Sequence, residues 1–245
     1  MLLAIDIGNS AIKFGTFDGD TLTSKFFIPT KRNAGADELT LAIDRRLPSD
    51  IDSALVCSVV PSINGAVRET VRSATGVEPT FIKNSSEFGL KIDYSPLESL
   101  GTDRLVNAFA AIERYGAPAI VCSLGTATTI DVVSAEREFL GGIIGPGLEA
   151  MAEAVHAKAP RLPKIDTSLQ YDLIGNTTED AVGSGIYNGY VAMVEGLITR
   201  IRTESGVSKV VATGGNAERL KDELAGLAIV DVDLLVHGLR MLSSR

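Results

Sequence analysis

Two stretches of this chain set an acid or a hydroxyl beside glycine at the end of an apolar run. The first, "DIGNSAIKFG", places Asp6 ahead of Gly8, Asn9 and Ser10, with Lys13 just beyond. A strand that ends in a carboxylate and turns at once through glycine can wrap a phosphate. Gly8 admits close approach, the N–H groups of residues 8–10 are expected to point inward, and Asn9 and Ser10 add side-chain donors. Asp6 is then placed to hold Mg²⁺, which favours one or two carboxylates plus phosphate oxygens, and Lys13 can reach the same phosphates. The plain alternative is a tight turn in an ordinary hairpin.

The second stretch, "VCSLGTATTID", repeats the phrase. Aligned on Gly8 and Gly125, Ser123 falls opposite Asp6 and Thr126 opposite Asn9. Two such loops, each opening an α/β half, form an expected clamp on a polyphosphate across a cleft. A third glycine element, "VVATGGNAERL", follows a strand and opens a helix, so Gly214 and Gly215 can lie flat against an adenine or ribose. Neither the G-x-x-x-x-G-K-[ST] loop nor the G-x-G-x-x-G fingerprint is present, so ATP would bind through a different fold. In "GTDRLVNAFAA", Asp103 and Arg104 open a helix after Gly101 and Thr102. There Asp103 can act as a base for a substrate hydroxyl and Arg104 as a fork for a carboxylate, or Asp103 simply favours the helix dipole.

The elements that must position these residues follow from the hydrophobic pattern. Residues 2–7, 11–17 and 21–29 read as strands, the last two joined by a turn at Gly19-Asp20. Helical spacing covers 36–47, a strand 53–60, a helix 61–75, a short strand 80–83, and an amphipathic helix from Thr102 or Asp103 to residue 116. The order then restarts, with strands at 119–124, 128–134 and 138–144, a helix, a proline-rich loop at 160–164, and a long helix over 178–203. A strand at 209–213, a helix after Gly215, a strand at 228–231 and a terminal helix complete it. Two related α/β domains are expected, 1–116 and 117–245.

The 245 residues, 45% of them hydrophobic, suffice for a sizeable core. With 23 basic against 31 acidic residues, the net charge of −8 argues against duplex nucleic acid or an anionic membrane as partner. Cys57 and Cys122 lie in apolar strands and match no zinc spacing. The N-terminal apolar stretch lacks a basic leader and breaks at Asp6, and no uncharged run is long enough to span a membrane. A cytoplasmic protein is expected.

Taken in order, "DIGNSAIKFG", "LGTDRLVNAFAA", "GTATTIDVV", "LGGIIGPGL", "NTTEDAVGSGIYNGY" and "ATGG" resemble the type III pantothenate kinases of the actin-like and sugar-kinase superfamily, over essentially the whole chain. The resemblance implies two ribonuclease-H-like domains flanking a nucleotide-binding cleft, a homodimer, and ATP-dependent phosphorylation of pantothenate, the step that begins coenzyme A biosynthesis. It implies an ATP-phosphate loop at Asp6, Ile7, Gly8, Asn9, Ser10, Ala11, Ile12 and Lys13, with further nucleotide contacts at Gly125, Thr126, Gly214 and Gly215. Asp103 would be the general base, and Tyr94, Gly101, Thr102, Asp103 and Arg104 would line the pantothenate pocket. Thr178 resembles the family's substrate-binding threonine, and His156 a histidine donated across the dimer interface.

The chain departs from that pattern at Ser123, where the family usually carries an aspartate that helps hold potassium or ammonium near the phosphates. A hydroxyl attracts a monovalent cation far less than a carboxylate does, so altered cation dependence is expected. Asp131 lies along the next strand and reads as structural. Two other readings stay open on the sequence: a kinase of the same fold with another small acceptor, or a nucleotide-binding accessory protein without catalysis.

Overall fold

The computed structural model describes residues 1–43, 45–224, 226–227 and 229–244. In chain order the elements are β1 (Leu2–Ile7), β2 (Ala11–Asp18), β3 (Thr21–Pro29), α1 (Ala36–Ile43), β4 (Ser53–Ser58), α2 (Asn64–Thr75), β5 (Thr80–Phe81), β6 (Lys91–Ile92) and α3 (Thr102–Tyr115). They continue as β7 (Ala119–Leu124), β8 (Ala127–Val133), β9 (Glu138–Pro146), α4 (Leu148–Lys158), α5 (Thr178–Ser205), β10 (Val210–Thr213), α6 (Ala217–Leu220), β11 (Ile229–Val230) and α7 (Leu234–Leu242).

The chain forms two compact units, Met1–Arg114 together with Asp233–Arg245, and Tyr115–Val232. Both units use one plan. In the first, the sheet runs β3-β2-β1-β4-β5, with β1–β2 and β2–β3 antiparallel and β1–β4 and β4–β5 parallel. In the second, β9-β8-β7-β10-β11 repeats that order and those directions. The internal restart read from the sequence is thus a repeated topology.

All of β1 is buried, because helices cover both faces of the first sheet. Leu3, Ile5 and Ile7 alternate onto one face and join Ile43, Val67 and Val71 of α1 and α2. On the other face α7 packs against β1, β2 and β4. There Phe17 meets His237 edge to face, with ring centroids 5.3 Å apart, and Gly238 lets α7 lie against Val106 and Ala110 of α3. Each such fully buried aliphatic side chain contributes about 1.5–3 kcal/mol. The terminal helix therefore belongs with the first unit, whereas the sequence division assigned it to the second half. Its buried stripe, Leu234, Leu235, Leu239 and Leu242, completes the core of a sheet whose strands all lie in the first third of the chain.

The helix expected over 36–47 ends at Ile43. Asp44 lies outside the described residues, and Arg45 adopts a left-handed φ of 58°. Ala228, expected to start the last strand, also lies outside them. Among the described residues no helix is long and apolar enough to cross a membrane. Cys57 and Cys122 are both buried and unpaired with each other.

Candidate active site

In the first unit, β1 delivers Asp6 at its C-terminal end on the face that α3 and α7 cover. The chain then turns through Gly8–Ser10 into β2. The turn is closed by the Gly8 N–H donating to Ala11 O at 3.0 Å, which corrects the expectation that this N–H points at a phosphate. The segment after β3 braces the turn from outside. The Thr30 hydroxyl donates to Gly8 O at 2.7 Å, the Thr30 N–H donates to Ser10 O at 3.0 Å, and Arg32 Nη2 donates to Asn9 Oδ1 at 2.8 Å. Lys13, from β2, lies 3.5 Å from Asp6 Oδ2.

Asp6 is only 8% exposed. Burial pushes its carboxyl up to about 6; the Lys13 ammonium pulls the other way, and the negative charge of Asp103 adds to the rise. Asp103, at the start of α3, is thus close enough for its charge to act on Asp6. Asp6 and Cys57 are register partners of β1 and β4, and the Cys57 thiol reaches Thr102 Oγ1 at 3.5 Å at the start of α3. Thr102 also donates to Ser58 O at 3.3 Å, so its hydroxyl fixes α3 to β4.

Asp103 sits in the first turn of α3, where its Oδ1 accepts the Arg104 N–H at 2.9 Å. The helix-start role is real, and it leaves the carboxylate with burial as its dominant perturbation, which raises its pKa. Gly101 makes this possible: a Cβ there would fall on Asp103 Oδ1. Arg104 is buried at 5% exposure with its guanidinium carbon 5.7 Å from the Tyr94 ring centre. Thus Asp6, the 8–13 loop, Tyr94, Gly101, Asp103 and Arg104 all belong to the first unit.

A carboxylate as buried as Asp6, with its pKa raised by desolvation, gains most from a bound cation. Among the described residues there is no cluster of three or more acid, histidine or cysteine side chains that could hold a metal. This donor set suits Mg²⁺, which takes few protein oxygens and completes its shell with water and phosphate. Asp6 is the residue that would hold it.

In the second unit the corresponding loop is built the same way. Gly125 N–H donates to Ala127 O at 3.2 Å, and the N–H of Gly147, just after β9, donates to Thr126 O at 3.2 Å. Gly147 lies so close that a Cβ there would fall on Gly125 O. Gly214, at φ 95°, presses on the end of β7: an added Cβ would stand 2.5 Å from Leu124 O. The Asn216 N–H also donates to Leu124 O, at 2.9 Å. Gly215, by contrast, is exposed with open space where a Cβ would be. Gly214→Ala is therefore expected to destabilise the protein by about 3 kcal/mol, from the left-handed φ and the backbone clash together. A melting midpoint lower by about 6–12 °C checks it, against an unchanged midpoint for Gly215→Ala.

Ser123, one residue before the end of β7, is in register with Thr213 of β10 and Thr129 of β8, so a row of hydroxyls crosses three strands. Asp131, at 2% exposure, lies over β9, where a Cβ on Gly142 would fall on its Oδ1. Its negative charge also reaches β7, adding to the burial that raises the Cys122 thiol. His156 is exposed on α4, its Nδ1 3.4 Å from Leu162 O, and Thr178 is exposed at the start of α5, which Thr177 caps by accepting the Asp180 N–H at 3.1 Å. Sequence reasoning missed Thr30 and Arg32 in the first unit. In the second it missed Glu149, whose carboxylate accepts Asn216 Nδ2 at 3.0 and 3.3 Å. In the first unit a hydroxyl and a cation just past the third strand were the available signal; Glu149 carried no such signal.

Solved structures share this architecture. A Campylobacter jejuni protein described as a Baf family transcriptional activator is 21% identical, with a TM-score of 0.64 over 99% of this chain and 97% of that one. A ROK family glucokinase from Streptomyces griseus, solved with glucose and AMPPNP, is 12% identical with a TM-score of 0.54, covering 99% and 98%. At such identities the likeness defines the fold alone, the two-unit α/β fold of sugar kinases and actin-like proteins. The sequence is more specific. A family model for type III pantothenate kinase matches residues 2–200. Curated relatives named type III pantothenate kinase include one from Roseiflexus sp. (strain RS-1), 37% identical over 99% of this chain and 98% of that protein, and one from Acidiphilium cryptum, 38% identical over 100% and 95%. This chain belongs to the type III pantothenate kinase family.

Proposed function

We infer that this chain transfers the γ-phosphoryl group of ATP to the primary hydroxyl of pantothenate, the opening step of coenzyme A biosynthesis. The observation that carries the reading is the placement of a buried carboxylate, Asp6, beside a braced glycine turn, with the half-buried Asp103 close enough for its charge to act on it, in a member of this family. The hydroxyl oxygen attacks the γ-phosphorus, the bond to the β-phosphate oxygen breaks, ADP leaves, and the hydroxyl proton passes to Asp103. Asp6 would hold the magnesium ion, which when bound would supply charge neutralisation on the phosphate oxygens.

The chain's own residues do the positioning. Lys13 and the donors of Asn9 and Ser10 hold phosphate, and Gly101 leaves room for the Asp103 carboxylate. Arg104, stacked by Tyr94, is assigned to the carboxylate of pantothenate. In the second unit Gly125, Thr126, Gly214 and Gly215 are assigned to the nucleotide, and Thr178 to the acceptor. The assembly proposed is a homodimer in which an exposed His156 serves the site of the second copy.

The proposal for the monovalent cation follows from Ser123. Hydroxyls in place of a strand-end carboxylate give potassium or ammonium little to bind, so turnover is expected to change by less than about twofold among sodium, potassium and ammonium. Coupled ADP release with ATP, Mg²⁺ and pantothenate tests both claims. Pantothenate-dependent turnover in all three salts supports them, and a potassium activation of tenfold or more overturns the cation proposal alone. Absence of turnover in every salt overturns the kinase reading.

A further inference from the structure

We propose that Arg32 grips the terminal phosphates of the nucleoside triphosphate and sets the preference for triphosphate over diphosphate. The proposal rests on the reading that the Gly8–Ser10 turn binds ATP. Arg32 lies outside the loop that the sequence pattern marks, on the segment that follows β3, yet its Nη2 donates to Asn9 Oδ1 at 2.8 Å. That segment is pinned around it. Thr30 holds Gly8 O and Ser10 O, the Ala34 N–H donates to Lys31 O at 3.0 Å, and Ser62 Oγ donates to the backbone carbonyl of Arg32 at 3.3 Å. The guanidinium is exposed, so a ligand can reach it.

A guanidinium carries five N–H donors in a rigid fork, and one bond to an amide oxygen leaves most of that fork for a bidentate anion. Of the neighbouring cations, Lys31 Nζ pairs with Glu38 Oε1 at 2.6 Å, whereas Lys13, 3.5 Å from Asp6 Oδ2, stays nearly half exposed. Arg32 and Lys13 thus bring charge to one turn from two different segments, β2 and the chain beyond β3. In a chain of net charge −8, such a local cation pair also draws a polyanion toward the turn. Asn9 then acts as the tether that holds the fork over the turn.

Titration of Mg²⁺ with a non-hydrolysable ATP analogue and with ADP, alongside steady-state kinetics, tests this on Arg32→Gln, Arg32→Lys and Asn9→Ala. Lys31→Gln and Lys13→Ala serve as controls. Arg32→Gln is expected to weaken the ATP analogue about 10- to 50-fold and ADP at least fivefold less, with the pantothenate KM and the melting midpoint unchanged. Arg32→Lys recovers part of the loss, Asn9→Ala loses part, and Lys31→Gln binds as the parent does. A role confined to bracing the turn predicts equal losses for ATP and ADP with a lower melting midpoint, and that result overturns the proposal. So does Arg32→Gln binding within twofold of the parent while Lys13→Ala is impaired. If Arg32→Gln and Lys13→Ala both bind ATP normally, the assignment of the turn to ATP fails as well.

Discussion

Asp103→Asn is expected to lower turnover with saturating ATP and pantothenate by about 10²- to 10⁴-fold, the range that a positioned general base supplies. The substitution isolates proton acceptance. Asparagine keeps an oxygen that can accept the Arg104 N–H, so the first turn of α3 stays closed, and it fits the space that Gly101 leaves. What it removes is the basic carboxylate at that point. Burial raises the pKa of Asp103, which makes its carboxylate a better proton acceptor than an exposed aspartate, at the cost of an ionised form that is less stable in the fold. The Asn variant should therefore be as stable as the parent or slightly more so, and ATP should still raise its melting midpoint. A rate within tenfold of the parent, with folding intact, would remove Asp103 from the chemistry and turn attention to a water-mediated base.

The extended strands were legible because their residues are bulky, branched and buried on both sides, which leaves no other regular structure open to them. Residues 2–7 and 119–124 are runs of that kind. The start of α3 was legible from local chemistry alone, with glycine followed by threonine, aspartate and an amphipathic stripe. Pairing was harder to see. The Gly19-Asp20 turn fixes Asp18 opposite Thr21, but a bulge between Thr16 and Phe17 then shifts the register by one residue. Only with that shift does Ala11 oppose Pro29, and so only then does Thr30 land on the Gly8–Ser10 turn with Arg32 beside Asn9. A one-residue slip reverses every side chain's face, so no local pattern could announce those braces.

The same limit hid the home of α7. Its apolar stripe declares a buried helix, but not against which sheet, since proximity along the chain favours the second unit and only packing against β1 and β2 decides for the first. The glycines gave a mixed return. Gly8 and Gly125 were found by their motif, yet the motif could not say that both N–H groups close their own turns. Gly214 owes its identity to backbone contact with the β7 end and Gly147 to contact with the loop after it, properties of the folded chain.

Asp6 is the residue where stability and function pull hardest against each other. Its folded pKa of about 6 lies above its ordinary 3.8, so the folded protein holds a proton there that the unfolded chain has already lost. Stability drawn from this group is greatest at low pH and declines as pH rises through the window from about 3.8 to 6, and at neutral pH the ionised carboxylate costs about 3 kcal/mol. Asp6→Asn removes that cost while Lys13, nearly half exposed, keeps its access to water. The variant is expected to melt higher than the parent at pH 7 without ligands, by about 1–3 kcal/mol, and to match it near pH 4. Magnesium and ATP together should reverse the order, because only the aspartate gains a cation at the carboxylate. Turnover is expected to fall by about 10²- to 10³-fold, since neutralisation of phosphate charge is worth several kcal/mol in such transfers. In the parent, the apparent affinity for magnesium should weaken as pH falls through about 6, where Asp6 takes up its proton. A variant that melts lower than the parent at pH 7, or that keeps parental magnesium dependence, would show that the burial of this carboxylate serves structure and that the metal is held elsewhere.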